Sequence, residues 1–150
     1  MDYDKLKQLE RELLIVLKEE YSFYQSLYIL LDRQRDLIKY NSDDRLLDLF
    51  MEIQRCHERI KKSEEKVAAL KDRNSEAFRM VALLPEVKKI VNSIVTLVKK
   101  NMNLVSECRD YMKGRYDRIQ AELDELKNSH KILQYLRDVE PAPQFVDRKQ

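Results

Sequence analysis

The chain has 150 residues, enough for one ordinary domain. Charged residues make up 37%, with one glycine and no tryptophan, so turn chemistry is too scarce for a many-stranded sheet and long helices are expected. The 29 basic and 27 acidic side chains nearly cancel, and the bases gather only in pairs such as Lys61-Lys62, Lys88-Lys89 and Lys99-Lys100, which argues against the basic face of a nucleic-acid binder.

The chain opens "MDYDKLKQLERELL", with no basic n-region or apolar h-region, so no signal peptide is read. No stretch approaches the roughly 18 uncharged apolar residues of a membrane span. A cytoplasmic protein without membrane insertion is expected. Cys56 and Cys108 are then expected to be free thiols, acting as small hydrophobes on or beside apolar helix positions.

The first predicted helix covers about residues 4–39. Its apolar residues Leu6, Leu9, Leu13, Val16, Leu17, Tyr24, Leu27, Leu31 and Ile38 recur at helical spacing, and Leu14, Tyr21 and Tyr28 widen the stripe. So broad a face suits a helix with two neighbours. At "KYNSDDRLL" the pattern breaks. Asn41 or Ser42 is expected to cap the next helix, with Asp43 and Asp44 in its first turn, where negative charge complements the dipole. That second helix is expected to reach about residue 71, on the stripe Leu46, Leu49, Phe50, Ile53, Ile60, Val67 and Leu70.

Asn74-Ser75 marks the next turn. A short apolar helix is expected over about residues 76–83, and Pro85 suits the first turn of another, where its missing N–H costs little. A long helix is expected over about residues 86–137. Its apolar line includes Val87, Ile90, Val91, Ile94, Leu97, Val98, Leu104, Val105, Cys108, Tyr111, Met112, Ile119, Leu123, Leu126, Leu133 and Leu136. Gly114 costs about 1 kcal/mol inside a helix and could mark a hairpin, but the stripe stays in phase across it, which favours a continuous helix. The result is an all-α fold: an elongated antiparallel three-helix bundle or coiled coil with a long third helix. A helical domain is read over 1–138 and an extended tail, "VEPAPQFVDRKQ", over 139–150, forced out of the helical region by Pro141 and Pro143.

Catalytic chemistry finds little footing. Cys56 and His57 are adjacent, and neighbours on a helix point about 100° apart. Cys108 and His130 lack the tight paired spacing of zinc ligands. Acidic pairs such as Asp43-Asp44 and Glu64-Glu65 have no desolvated cleft to shift a pKa, and one glycine cannot build a phosphate cradle. The tyrosines at 21, 24 and 28 fit core packing better than base stacking. No catalytic, cofactor or metal site is read. Binding of a partner's amphipathic segment to an apolar helix face fits the pattern.

Three stretches carry a family resemblance. "LLDRQRDLIKYNSDDRLLDLFMEIQRCHERIKKSEEKVAAL" couples a leucine-rich helix to a short polar break and a second helix. "VKKNMNLVSECRDYMKGRYDRI" is similar to a long third helix. "YLRDVEPAPQFVDRKQ" ends on a tyrosine, a proline-containing stretch and an apolar-Asp-basic close. Together they resemble the FlgN family of flagellar export chaperones over nearly the whole chain. The resemblance implies a cytoplasmic type III secretion chaperone. Such proteins bind the C-terminal segments of hook–filament junction proteins, prevent premature assembly and deliver them to the export gate. It implies partner binding by Ile119, Leu123, Leu126, Leu133 and Leu136, with Phe145 and Val146 in the tail read by another protein. Tyr135 matches a gate-docking tyrosine by position, though packing against the leucines is open to it too. The alternatives are a structural coiled-coil or adaptor protein, a possible homodimer through the same stripes, and a chaperone for another flagellar export substrate.

Overall fold

The computed structural model describes residues 2–42 and 44–139. Four helices follow in order: α1 over Tyr3–Lys39, α2 over Leu46–Arg73, α3 over Ser75–Ala82 and α4 over Pro85–Val139. The all-α bundle expected from the sequence is what forms, and the short apolar helix is α3. The chain divides into two compact units, Met1–Tyr111 and Met112–Gln150. The expected tail, with Pro141, Pro143, Phe145 and Val146, lies from residue 140 outside the described residues.

Local chemistry sets the boundaries. Asp2 caps α1, its side chain accepting from the Asp4 N–H at 3.0 Å. At the other end the break works differently from the sequence expectation. Asn41 adopts the left-handed conformation, φ 58°, which asparagine tolerates better than most residues. The Ser42 N–H then donates to Leu37 O at 2.8 Å and the Asn41 N–H to Ile38 O at 3.3 Å. This is a Schellman closure, so Asn41 stops α1 and does not start α2. Helix α2 begins later, behind Arg45, with no side-chain cap and with Asp48 as the acid of its first turn. Asn74 does cap as a turn residue should: its side chain accepts from the Ala77 N–H at 3.1 Å and opens α3. Pro85 is the first residue of α4, where no N–H is required of it.

Within the first unit α1 and α2 run antiparallel. Arg73 pairs with Glu12 at 2.9 Å, Lys66 with Glu19 at 3.6 Å, and Cys56 Sγ donates to Phe23 O at 3.2 Å. Helix α4 runs parallel to α1: Asn101 donates to Tyr24 O at 3.3 Å, and Arg35 meets Glu107 at 3.1 Å while also holding Asp32 and Asp36. These ion pairs keep contact with water, so they stabilise little and serve mainly to mark register. Stability comes from two apolar clusters. One gathers Leu9, Leu13 and Leu17 with Leu70, Ala77, Val81, Val87 and Ile94, so it draws on all four helices. The other gathers Leu27 and Leu31 with Leu49, Ile53, Cys56, Ile60 and Leu104. Leu13, at 2% exposure, is among the most deeply buried side chains, and truncating it to Ala is worth roughly 2–5 kcal/mol.

In the second unit α4 continues without a break through Gly114, whose φ is ordinary and around which an added methyl would meet nothing within 4 Å. Gly114→Ala therefore adds helix propensity of about 1 kcal/mol with no steric cost, and amides of the flanking turns should exchange about fivefold more slowly. Hydrogen exchange read by mass spectrometry checks this, and unchanged rates would mean that the helix is locally broken in solution.

Candidate partner-binding surface

Two features of the chain are unusual enough to carry function. The first is a polar layer. Among the described residues the buried polar side chains are Glu20, Ser63 and Asn101, exposed by 7%, 1% and 5%. Each belongs to a different helix, and each falls between the two apolar clusters: Glu20 between Leu17 and Leu27, Ser63 between Ile60 and Leu70, Asn101 between Ile94 and Leu104. Tyr24 joins them, its hydroxyl donating to Glu64 Oε1 at 3.4 Å. Ser63 Oγ and Asn101 Oδ1 have no hydrogen-bond partner in the protein. Burial, and then the nearby Glu64 carboxylate, raise the Glu20 pKa. Burial again, with Glu64 and Glu20 behind it, pushes the Tyr24 hydroxyl up to about 12.

This layer was not singled out from the sequence, although a signal was present. In each helix one polar residue occupies a position in phase with the apolar stripe. Glu20 stands three residues after Leu17, Ser63 three after Ile60, and Asn101 three before Leu104.

The second feature is the surface of α4 in the second unit. Every described side chain from Tyr116 to Asp138 is exposed. Ile119, Leu123, Leu126 and Leu133 are 61%, 43%, 67% and 66% exposed. At about 100° per residue these four fall within roughly 80° of the helix circumference, so the structure does bring them onto one stripe. Leu136 sits about 60° beyond the edge of that stripe, and Tyr135 about 160° round from Ile119, on the other face. Tyr135 is also 68% exposed, so it does not pack on the leucines. Phe145 and Val146 lie outside the described residues.

Reactive side chains are otherwise dispersed. Cys56 is buried and His57 exposed, so adjacency in sequence does not become a contact. Both cysteines are free, and burial raises both thiol pKa values, which keeps them protonated at neutral pH. Among the described residues no three His, Cys, Asp or Glu side chains gather as a metal site would need. A groove of about 740 Å³ between α1 and α2 is lined by Arg33, Arg45, Asp36, Asp48 and Glu52, which give it no dominant sign of charge. No described helix is long and apolar enough to cross a membrane. No family model, curated protein or solved structure matches the chain.

The polar layer has a definite pH signature. A carboxyl whose pKa is raised on folding stabilises the fold least where it must ionise. Stability therefore falls as pH rises from the ordinary glutamate value of about 4.3 through the raised folded value, because there the unfolded chain releases a proton that the folded chain keeps. Glu20→Gln should remove this loss. Its melting temperature should exceed the parent's at pH 8, and the gap should shrink towards pH 4. An equal gap at both pH values would show that Glu20 is not the titrating group.

Proposed function

We propose that this chain is a cytoplasmic chaperone of flagellar type III export. It would hold the C-terminal helical segment of a hook–filament junction protein until the segment reaches the export gate. The observation that carries this reading is the stripe of Ile119, Leu123, Leu126 and Leu133, apolar, helical and exposed throughout. Contiguous exposed apolar surface of this kind marks interaction sites, and a helix presents it at the spacing that an amphipathic partner helix matches. The resemblance in "VKKNMNLVSECRDYMKGRYDRI" and in the C-terminal stretch supplies the class of partner.

The physical demands of such a task suit the arrangement. An export client must be released, so its affinity has to be moderate. A partner that is disordered alone and helical when bound loses ordering entropy on binding, which lowers affinity for a given area. A stripe on one exposed helix face grips such a segment without enclosing it. The first unit, with its two apolar clusters, keeps its own fold independent of the client. In this reading the exposed Tyr135, on the opposite face, is free to meet a second protein such as the gate while the stripe is occupied.

Co-purification with the C-terminal segments of junction proteins from the same organism tests the proposal. Wild-type chain should retain at least one of them. Leu123→Glu and Leu126→Glu should each weaken capture by tenfold or more, as loss of a central apolar anchor does at other interfaces. The melting temperature of the first unit should stay within about 1 °C, since neither side chain belongs to its core clusters. Failure of the wild-type chain to hold any junction segment would dismiss the reading.

A further inference from the structure

The exposed stripe of the second unit has a stricter period than an amphipathic helix requires. From Met112 the residues Tyr116, Ile119, Leu123, Leu126, His130 and Leu133 follow at steps of four, three, four, three, four and three. This is a seven-residue repeat sustained over three heptads, 3.5 residues per turn in place of the 3.6 of a straight helix. A single surface helix resting on a globular partner has no need of it. Two helices that wind around one another do. In heptad terms Met112, Ile119, Leu126 and Leu133 take the d positions, and Tyr116, Leu123 and His130 take the a positions.

The flanking positions choose the occupant and its direction. Glu122 stands at g and Lys127 at the following e. In a parallel pair each g residue lies beside the partner's next e residue, so Glu122 meets the partner's Lys127, twice by symmetry. In an antiparallel pair that sets Leu123 against the partner's Leu126, Glu122 would lie beside the partner's Ser129, and Lys127 beside the partner's Gln120, with no charges matched. The sequence around these central leucines is therefore charge-complementary to itself in the parallel sense. His130, as the one polar residue among these core positions, also penalises any register in which it would face a leucine.

We propose that a second copy of this chain covers the seam, forming a parallel two-stranded coiled coil over residues 112–133 in which Glu122 of each chain pairs with the partner's Lys127. This goes beyond the chaperone reading and does not rest on it. Because both occupants would use Ile119, Leu123 and Leu126, self-pairing and capture of a client exclude each other.

Sedimentation equilibrium of the full chain alone, at pH 7.5 and low salt, tests the pairing without any client. The wild-type chain should be a dimer at tens of micromolar. Glu122→Lys and Lys127→Glu should each weaken the dimer about tenfold, by placing like charges beside one another twice. Mixing the two single variants should restore affinity. In the mixed dimer the introduced lysine of one chain faces the introduced glutamate of the other, and the remaining native Glu122 faces the remaining native Lys127. Both substitutions lie on exposed positions, and unchanged circular dichroism confirms that the fold is intact. A wild-type chain that stays monomeric at 100 µM overturns the proposal. So does a dimer indifferent to both charge changes, which would place the interface elsewhere or run it antiparallel. A dimer that behaves as expected beside failed client capture would leave this inference standing and remove the chaperone reading.

Discussion

Burying a carboxyl, a hydroxyl and an amide between two apolar clusters is the constraint on which the first unit turns. Each of these groups costs free energy when taken from water, a few kcal/mol where no full set of partners replaces the water. Two apolar clusters must offset that cost, and each takes residues from three helices or more. The cost also falls unevenly on wrong arrangements. Sliding α2 one turn along α1 would bring Ile60 or Val67 to the level that Ser63 holds, and would move a polar side chain into a leucine cluster. The ion pairs of Glu12 with Arg73 and Glu19 with Lys66 mark the same register from the surface, but they are exposed and weak.

Helix length then decides what α4 can bury. Helix α1 has 37 residues and α4 has 55. Running parallel to α1, α4 gives Val87, Ile94, Leu104 and Cys108 to the interior. Near the end of α1, Lys39 lies over the Tyr111 ring at 5.9 Å and Arg35 reaches Glu107. Past Tyr111 the apolar pattern of α4 persists, yet the described side chains from Tyr116 onward are exposed. The same periodicity that builds a core in one unit builds a surface in the other. In the first unit α1, α2 and α3 contribute to the clusters that α4 joins, whereas among the described residues of the second unit α4 is the one helix.

This explains which parts of the fold could be read beforehand. Periodicity identified the helices, the short α3 and the continuity through Gly114, because helix formation is local and the stripe counts residues. The break after Lys39 was visible, but its mechanism was not. Asn41 serves equally well as an N-cap or as a left-handed stop, and only the hydrogen bonds from Asn41 and Ser42 back into α1 separate the two. The polar layer was overlooked because Glu20, Ser63 and Asn101 each look like a surface residue in its own helix. Their meaning appears when three helices are aligned. For Tyr135 the sequence leaves docking and packing against the leucines both open, and the helical twist, which puts it exposed on the other side from Ile119, decides against the packing.

The exposed stripe also shows why partner identity is harder to read than fold. An exposed apolar seam favours an apolar cover, because water is a poor neighbour for Leu126 and Leu133. It does not by itself record which. Finer information resides in the spacing and in the charges beside the seam. A 3.5-residue period specifies winding, and Glu122 followed five residues later by Lys127 specifies direction. Those two marks are satisfied by a second copy of the same helix. A client segment could exploit the seam only by presenting the same period, with an acid and a base in complementary places. Under the proposed pairing, the chain's own helix is the standard against which a client would compete, and the strength of self-pairing would set the affinity that a client needs.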